Sequence, residues 1–336
     1  MPTGDIQDTI KHMFGTMELQ IQYLLLLQHL RHITQGIFDG FFMSATWFGE
    51  VIIPLGFIAL VYWSLNKKAG TFLLFSFGLT LYVNVFLKMT ACINRPWIID
   101  SRIHPIEQAM PAADGYSFPS GHTAGAVSVW GGSAFFWWHN KFIRYFMIFL
   151  VLLVGFSRNY VGVHTPQDVI ISLIAGICIL FSAEKIIKWT EAKTNRDVLL
   201  FAIISIMTLI LYMYIYCRSY VQMQNYNCLT DSVNPLLMKY SSYSKIGFLL
   251  GIFLGWLIER RFVKFDAIAL SNVRNVAYIA LGLSLLYTLM FITNKYLVIF
   301  MAKQIASAAA AFITSIYITA VFPLIIKITA NRQHKV

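Results

Sequence analysis

Charge is what this chain has least of. Only 12% of its 336 residues are Asp, Glu, Lys or Arg, against 58% hydrophobic ones. A soluble domain carries roughly 25% charged residues, so a large water-exposed surface is excluded. Cysteine is almost as scarce: there are four, and none form a C-x-x-C pair, which removes the usual zinc and redox frameworks. The 15 acidic residues against 26 basic ones form no carboxylate-rich set of the kind Mg²⁺ needs. Basic residues do not form a dense run either. The net charge of +11 therefore reads as positive loops between apolar spans, not as a nucleic-acid footprint. No basic start followed by an apolar core marks a cleavable signal peptide at the N-terminus.

What remains is a mean hydropathy of +0.65 and a series of long apolar runs. These predict an all-α fold, a polytopic transmembrane helical bundle of about nine spans. The spans run roughly over 49–65, 70–89, 119–137, 143–160, 165–187, 197–216, 243–258, 275–294 and 304–326. Residues 1–48 are mixed, and the run from Glu18 to Arg31 is broken by Gln20, Gln22, Gln28 and His29. It is too short to cross a bilayer and predicts an N-terminal interfacial amphipathic segment, with a second short interfacial piece at 36–48. The expected organisation is therefore 1–48 interfacial, 49–190 a catalytic transmembrane core, and 191–336 additional C-terminal helices.

With nine spans, fifteen of the 26 Lys and Arg fall on one membrane face and eleven on the other. The richer face is expected to be cytoplasmic, together with the C-terminus, leaving the N-terminus extracytoplasmic. Cys217 and Cys228 share the long 217–242 loop on the outer side, where a disulfide and two free thiols are equally open readings. Cys178 is expected to pack inside a span.

Three polar clusters interrupt the apolar pattern between Lys88 and Asp168, all on the outer face. Charges beside spanning segments are costly and point to function. In the second cluster, Pro119-Ser120-Gly121-His122, Ser120 suits an N-cap and Gly121 lets a ligand approach the backbone. The helix start attracts an anion, and an imidazole there can protonate a leaving oxygen. An ordinary capped helix would explain the serine alone. In the third, Ser157-Arg158-x5-His164-x3-Asp168, the Thr165-Pro166 pair and Asp168 fit a helix cap. A carboxylate at Asp168 could also fix the tautomer of His164 and leave its other nitrogen free to attack. Arg158 adds a fork for phosphate oxygens. The first cluster, Lys88-x6-Arg95-Pro96, supplies two cations spaced to share a helical face, although Pro96 pushes Arg95 out of helical geometry. A snorkelling lysine is the plain alternative. Taken together, two histidines, one aspartate, three cations and a helix N-terminus suit metal-free phosphoryl transfer.

At these residues the chain closely resembles the type-2 phosphatidic acid phosphatase superfamily, whose three-part signature is Lys-x6-Arg-Pro, Pro-Ser-Gly-His and Ser-Arg-x5-His-x3-Asp. All three parts are matched in order within about eighty residues. The resemblance implies His164 as the nucleophile that becomes a phosphohistidine, with Asp168 orienting it. It implies His122 as general acid and then water activator. Lys88, Arg95, Ser120, Gly121 and Arg158 would bind phosphate, with no metal and no cofactor. The four spans after the core and the shared outer face of N-terminus and site are similar to the glucose-6-phosphatase arrangement. The N-terminal piece also resembles that of bacterial lipid-phosphate and sphingosine-phosphate phosphatases.

The expected activity is thus hydrolysis of a lipid phosphate mono- or diphosphate ester at the extracytoplasmic face. A phosphotransferase using the same intermediate, or a glucose-6-phosphatase-like enzyme for soluble sugar phosphates, stands as the alternative. More remote is a transporter of a phosphorylated substrate, favoured only by Lys303 and Pro323 in the last span. Partners expected are the phosphorylated lipid, membrane lipids and a second copy of the chain in a homodimer. The 97–118 loop, through Trp97, Arg102 and His104, and the aromatic edge at Phe118 are expected to shape the headgroup pocket.

Overall fold

The computed structural model describes residues 4–113, 115–218, 235–268, 270 and 273–333. All regular elements among them are helices. Cys228 lies outside the described residues, and with it the expected bridge to Cys217.

The N-terminal part forms α1 (Gly4–Ile33) and α2 (Asp39–Thr46). α3 (Ile52–Leu60) and a widened turn lead to α4 (Lys67–Ala91), which is followed by the short α5 (Pro96–Ile99). α6 (Gly121–Ala126) and α7 (Gly132–Phe136), joined by a widened turn at Val127–Gly131, make one short pass, and α8 (Lys141–Tyr160) and α9 (Pro166–Glu191) return across the bundle. α10 (Arg196–Cys217), α11 (Pro235–Ile258), α12 (Val273–Phe300), α13 (Lys303–Ile316) and α14 (Phe322–Gln333) complete it.

Among the described residues, six helices are long and apolar enough to cross a membrane, and seven if the bent 39–65 pair counts as one span. This is fewer than the nine expected. The pass through α6 and α7 covers only 121–136, and the one through α3 depends on its bent partner.

Backbone polar groups in hydrocarbon must be satisfied within the chain, and side-chain caps secure the helix starts. Asn66 accepts from the Ala69 amide at 3.0 Å, and Asn140 from Ile143 at 3.1 Å. α4 is the central helix: 61% of its apolar window is buried, against 22–28% for α9, α10 and α12. Those three turn side chains such as Ile170, Phe181, Leu209 and Phe291 outward. A fully exposed apolar belt is unfavourable in water and expected against lipid tails. Cys178 on α9 is also exposed, contrary to the packing role expected for it.

Small residues let the C-terminal helices approach closely. A side chain at Gly247, Gly251 or Gly255 of α11 would strike Ala308, Ser315 or Thr319 of the last pass, a spacing of four residues typical of packed membrane helices. Lys303 stands at the start of that pass, over the Tyr240 ring at 5.0 Å, and not within it. The feature that had suggested a transport path is a helix-end lysine.

Two helices form within the 1–48 segment, the first of them longer than the 18–31 run expected. α1 is one 30-residue helix. Its glutamines grip the protein: Gln28 donates to the Arg102 carbonyl at 3.1 Å and accepts from the His104 amide at 2.7 Å. Gln20 accepts from the Gln167 amide at 3.1 Å, at the start of α9. Ile21, Leu24 and Leu27 pack inward, while Leu19, Leu26, Leu30 and Ile33 remain exposed.

Candidate active site

The chain termini of four helices converge at one end of the bundle, and each brings part of the signature. α4 ends at Ala91, where Cys92 adopts a left-handed cap. Lys88, in its last turn, is buried and donates to the Tyr116 carbonyl at 2.9 Å. Arg95 lies past the cap in extended conformation, with Pro96 opening α5. The two cations therefore do not share a helical face. The proline and the left-handed cap turn the chain so that Arg95 points back toward the third cluster.

Arg95 is 2% exposed and held by backbone oxygens, with Nε donating to Gly115 at 2.9 Å and one terminal nitrogen to Val163 at 3.0 Å. The same terminal nitrogen lies 3.0 Å from His164 Nε2. The other ring nitrogen, Nδ1, faces Asp168 Oδ2 at 3.2 Å. That oxygen also receives Ser117 Oγ at 2.5 Å and the Thr165 amide at 2.9 Å. The carboxylate thereby favours the tautomer with its proton on Nδ1 and the lone pair on Nε2. Asp168 is the acidic member of a capping box with Thr165 and also lies within hydrogen-bond reach of His164, so the two explanations the sequence offered are geometrically compatible.

His164 sits in the turn between α8 and α9, 2% exposed. Burial, and then the charges of Arg95, Lys88 and Arg158, hold its pKa well below the usual histidine range. It is therefore neutral at physiological pH, the form a nucleophile requires. Asn159 donates to the His164 carbonyl at 2.9 Å and fixes the turn.

The second cluster follows a cis Phe118–Pro119 bond. Ser120 caps α6, its hydroxyl accepting from Thr123 Oγ1 at 2.9 Å. Ser120 is fully buried and, like Arg158, is not among the residues that line the cavity. Gly121 does line it: an added Cβ would meet nothing closer than Asn84 Oδ1 at 3.7 Å, leaving the backbone open to an approaching anion. His122 presents an Nε2 with no hydrogen-bond partner.

Lys88, Arg95, Gly121, His122 and His164 share a cavity of about 280 Å³. Arg158 and Asp168 stand behind this wall. Arg158 is 1% exposed, and its Nε and one terminal nitrogen have no hydrogen-bond partner. Buried polar groups are rarely left this way, and guanidinium and imidazole nitrogens without partners at one site suit an anion. Among the described residues no three His, Cys, Asp or Glu side chains cluster as a metal site.

Sequence reasoning missed several participants. Ser117 contacts both His164, at 3.3 Å, and Asp168, but lies between the first and second parts of the signature. Its signal is only its position two residues before Pro119. Of the 97–118 loop, Pro111 and Ala112 line the cavity, whereas Arg102 pairs with Asp100 at 2.6 Å and its backbone is tied to α1. Trp97 packs beside Tyr160 and Val161 in a neighbouring core, and Phe118 is absent from the lining. Glu50, and Ser241 and Lys245 from α11, complete the lining; nothing in the local sequence ties them to the site.

Among curated proteins, the chain is 32% identical over 135 residues to undecaprenyl-diphosphatase BcrC of Bacillus subtilis, covering 39% of this chain and 66% of that protein. It is 31% identical over 140 residues to an undecaprenyl-diphosphatase of Sulfolobus acidocaldarius, covering 40% and 63%. Over 188 residues it is 26% identical to the lipid A 4'-phosphatase of Porphyromonas gingivalis, covering 53% and 76%. The matched region spans just under two thirds of the first two relatives. No solved structure matches the chain significantly. What the chain is similar to is thus the PAP2 superfamily, matched over residues 69–194, which hold all three clusters.

Proposed function

We propose that the protein is an integral-membrane, metal-independent phosphatase that hydrolyses a lipid phosphate mono- or diphosphate ester at the extracytoplasmic face through a phosphohistidine. The observation that carries this is the neutral, oriented His164, with Nε2 directed at Arg95 inside a cavity that His122 also lines. The relatives named as lipid phosphatases support the lipid class.

His164 Nε2 attacks phosphorus while the bond to the leaving oxygen breaks. That oxygen takes the electron pair, and a proton from His122 when it needs one. Lys88, Arg95 and Arg158 hold the equatorial oxygens, whose charge grows in the transition state. Arg95 moves its hydrogen bond from His164 to phosphate. Water, deprotonated by His122, then attacks the phosphohistidine, releasing inorganic phosphate and restoring His164. Asp168 stabilises the imidazole through both steps.

A phosphotransferase would use the same intermediate and differ only in its acceptor. The domain reading follows the same lines: α1 and α2 interfacial, 49–190 catalytic, and the remainder added helices. Phosphate release from a panel of prenyl, glycerolipid, sphingoid and sugar phosphates tests the reading. Release from lipid substrates, lost in His164→Ala, is expected; equal rates in wild type and His164→Ala would contradict it. Impermeant labelling of a cysteine placed at residue 104 tests the sidedness, with outside labelling expected.

A further inference from the structure

A cavity of about 700 Å³ opens at the end of the bundle away from the signature. It sits where four helices terminate: α4 starts at Lys67, α7 ends at Phe136, α9 at Glu191 and α11 at Ile258. The ends of apolar helices mark the level of the lipid headgroups. Phe72, Phe135, Phe136 and Trp256 give the cavity an aromatic side, and the rest of its lining is mostly charged. Part of that lining is built on buried charge. Glu259, 1% exposed, accepts from Lys67 Nζ at 2.6 Å and from the Phe265 amide at 3.1 Å. Lys67 also donates to the Phe265 carbonyl at 2.9 Å. These bonds hold the 264–266 loop, where Lys264 takes a left-handed conformation at φ 51°, one that a lysine rarely adopts unaided.

Ion pairs absorb part of the charge, with Lys67 on Glu259 and Lys188 on Glu184. Arg260 lies over Trp256 and 3.6 Å from Asp197. Lys68, Lys264, Glu191 and Asp266 also line the cavity and form no ion pair among the described residues. Ammonium groups and carboxylates thus share one cavity without neutralising one another. α9 indicates what kind of molecule belongs there. Ile170, Ile174, Ile177, Phe181, Glu184 and Lys188 recur at steps of four and three, so they lie on one helix face. The first four are exposed, the last two line the cavity, and the Phe181 ring meets Phe135 of the lining at 5.3 Å. Exposed apolar surface therefore runs along α9 directly into the charged cavity.

We propose that this cavity binds the headgroup of a zwitterionic aminophospholipid, from the leaflet opposite the catalytic cavity. Lys68 and Lys264 take its phosphate, Glu191 and Asp266 take its ammonium, and an acyl chain lies along α9. The site shares no residue with the catalytic cavity and stands independently of the phosphatase reading. Charge balance carries the ligand class. A polyphosphate would bring its negative charge against Glu191 and Asp266, a costly juxtaposition. A phosphodiester bearing a primary ammonium answers both signs, and its N–H donors suit the carboxylates. The apolar face of α9 separates a lipid from the same headgroup free in solution, which would leave that face unused.

The test is native mass spectrometry of the purified, delipidated full chain in detergent. The probes are dioleoyl phosphatidylethanolamine, phosphatidylglycerol with the same chains, and free O-phosphoethanolamine. Wild type should bind one phosphatidylethanolamine about tenfold more tightly than phosphatidylglycerol, the scale of a charge-assisted hydrogen bond. Asp266→Asn should remove that preference by weakening phosphatidylethanolamine alone. Lys264→Asn, which keeps a residue tolerant of the left-handed conformation, should weaken both lipids about tenfold. Should Asp266→Asn not fold, Glu191→Gln reads the same preference. Equal affinity for the two lipids in wild type, or affinities unchanged in the variants, would overturn the proposal. So would free O-phosphoethanolamine binding as tightly as the lipid, which would make the cavity a site for a soluble ligand.

Discussion

The two ends of this bundle carry charge in opposite ways. At the end away from the site, cations meet carboxylates. Lys67 pairs with the buried Glu259 at 2.6 Å, and that carboxylate also accepts from the Phe265 amide at 3.1 Å. Arg261 pairs with Asp197 at 2.6 Å. At the signature end, Lys88 and Arg95 are held by main-chain oxygens, and Arg158 leaves two nitrogens without a partner. A carboxylate partner satisfies a cation and makes it structural. A neutral carbonyl positions a cation without itself cancelling the charge. Under the proposed function, the same residue types at two ends of one scaffold serve stability in one place and anion binding in the other.

That contrast can be broken by substitution. The largest effect is expected from His164→Ala, which should lower phosphate release by about 10⁴-fold or more without lowering the melting temperature, since the site is not part of the main core. Arg158→Met should cost about 10²–10³-fold in kcat/KM, the range for removing one transition-state donor. Thermal unfolding of this variant should be unchanged or shifted upward, because a buried cation with unsatisfied nitrogens is removed. Glu259→Gln should show the reverse. It leaves Lys67 without its partner and should cost about 2–3 kcal/mol of stability, read in a thermal or denaturant unfolding curve, while kcat/KM of the folded protein stays within about twofold.

Smaller effects sharpen the picture within the site. Ser117→Ala removes one of the donors to Asp168 and should slow turnover about tenfold, one hydrogen bond to a charged group. In the pH profile, burial and the Arg95, Lys88 and Arg158 charges depress His164. A depressed base stays unprotonated as pH falls through the ordinary histidine range near 6.5 and is protonated only below it. The acid limb of kcat/KM should therefore lie below that range, and Arg95→Gln, which removes the leading charge, should move it upward.

Much of the site was legible because its local chemistry is local in sequence. Thr165, Pro166 and Asp168 specify a capped helix start, and the four-residue step back to His164 puts the ring beside the carboxylate. The apolar runs specified the helices for the same reason. Span number was less legible, since hydropathy does not separate a short pass such as 121–136 from a full span. Least legible were contacts across long separations. Ser117, Glu50 and Lys245 reach the cavity through packing, and the α1 glutamines that looked like a water-facing stripe satisfy loop backbone instead. The Lys88–Arg95 spacing misled for a specific reason: a left-handed residue at Cys92 interrupts the helix between them.

The central claim is that His164 Nε2 takes the phosphoryl group. Acid-sensitive phosphorylation of the purified chain tests it directly, by rapid quench with phosphorus-labelled lipid substrate followed by peptide mapping under basic conditions. The account expects label on the peptide containing His164, formed at least as fast as turnover and absent from His164→Ala. Rapid turnover with no label at His164, or label on another residue, would contradict it.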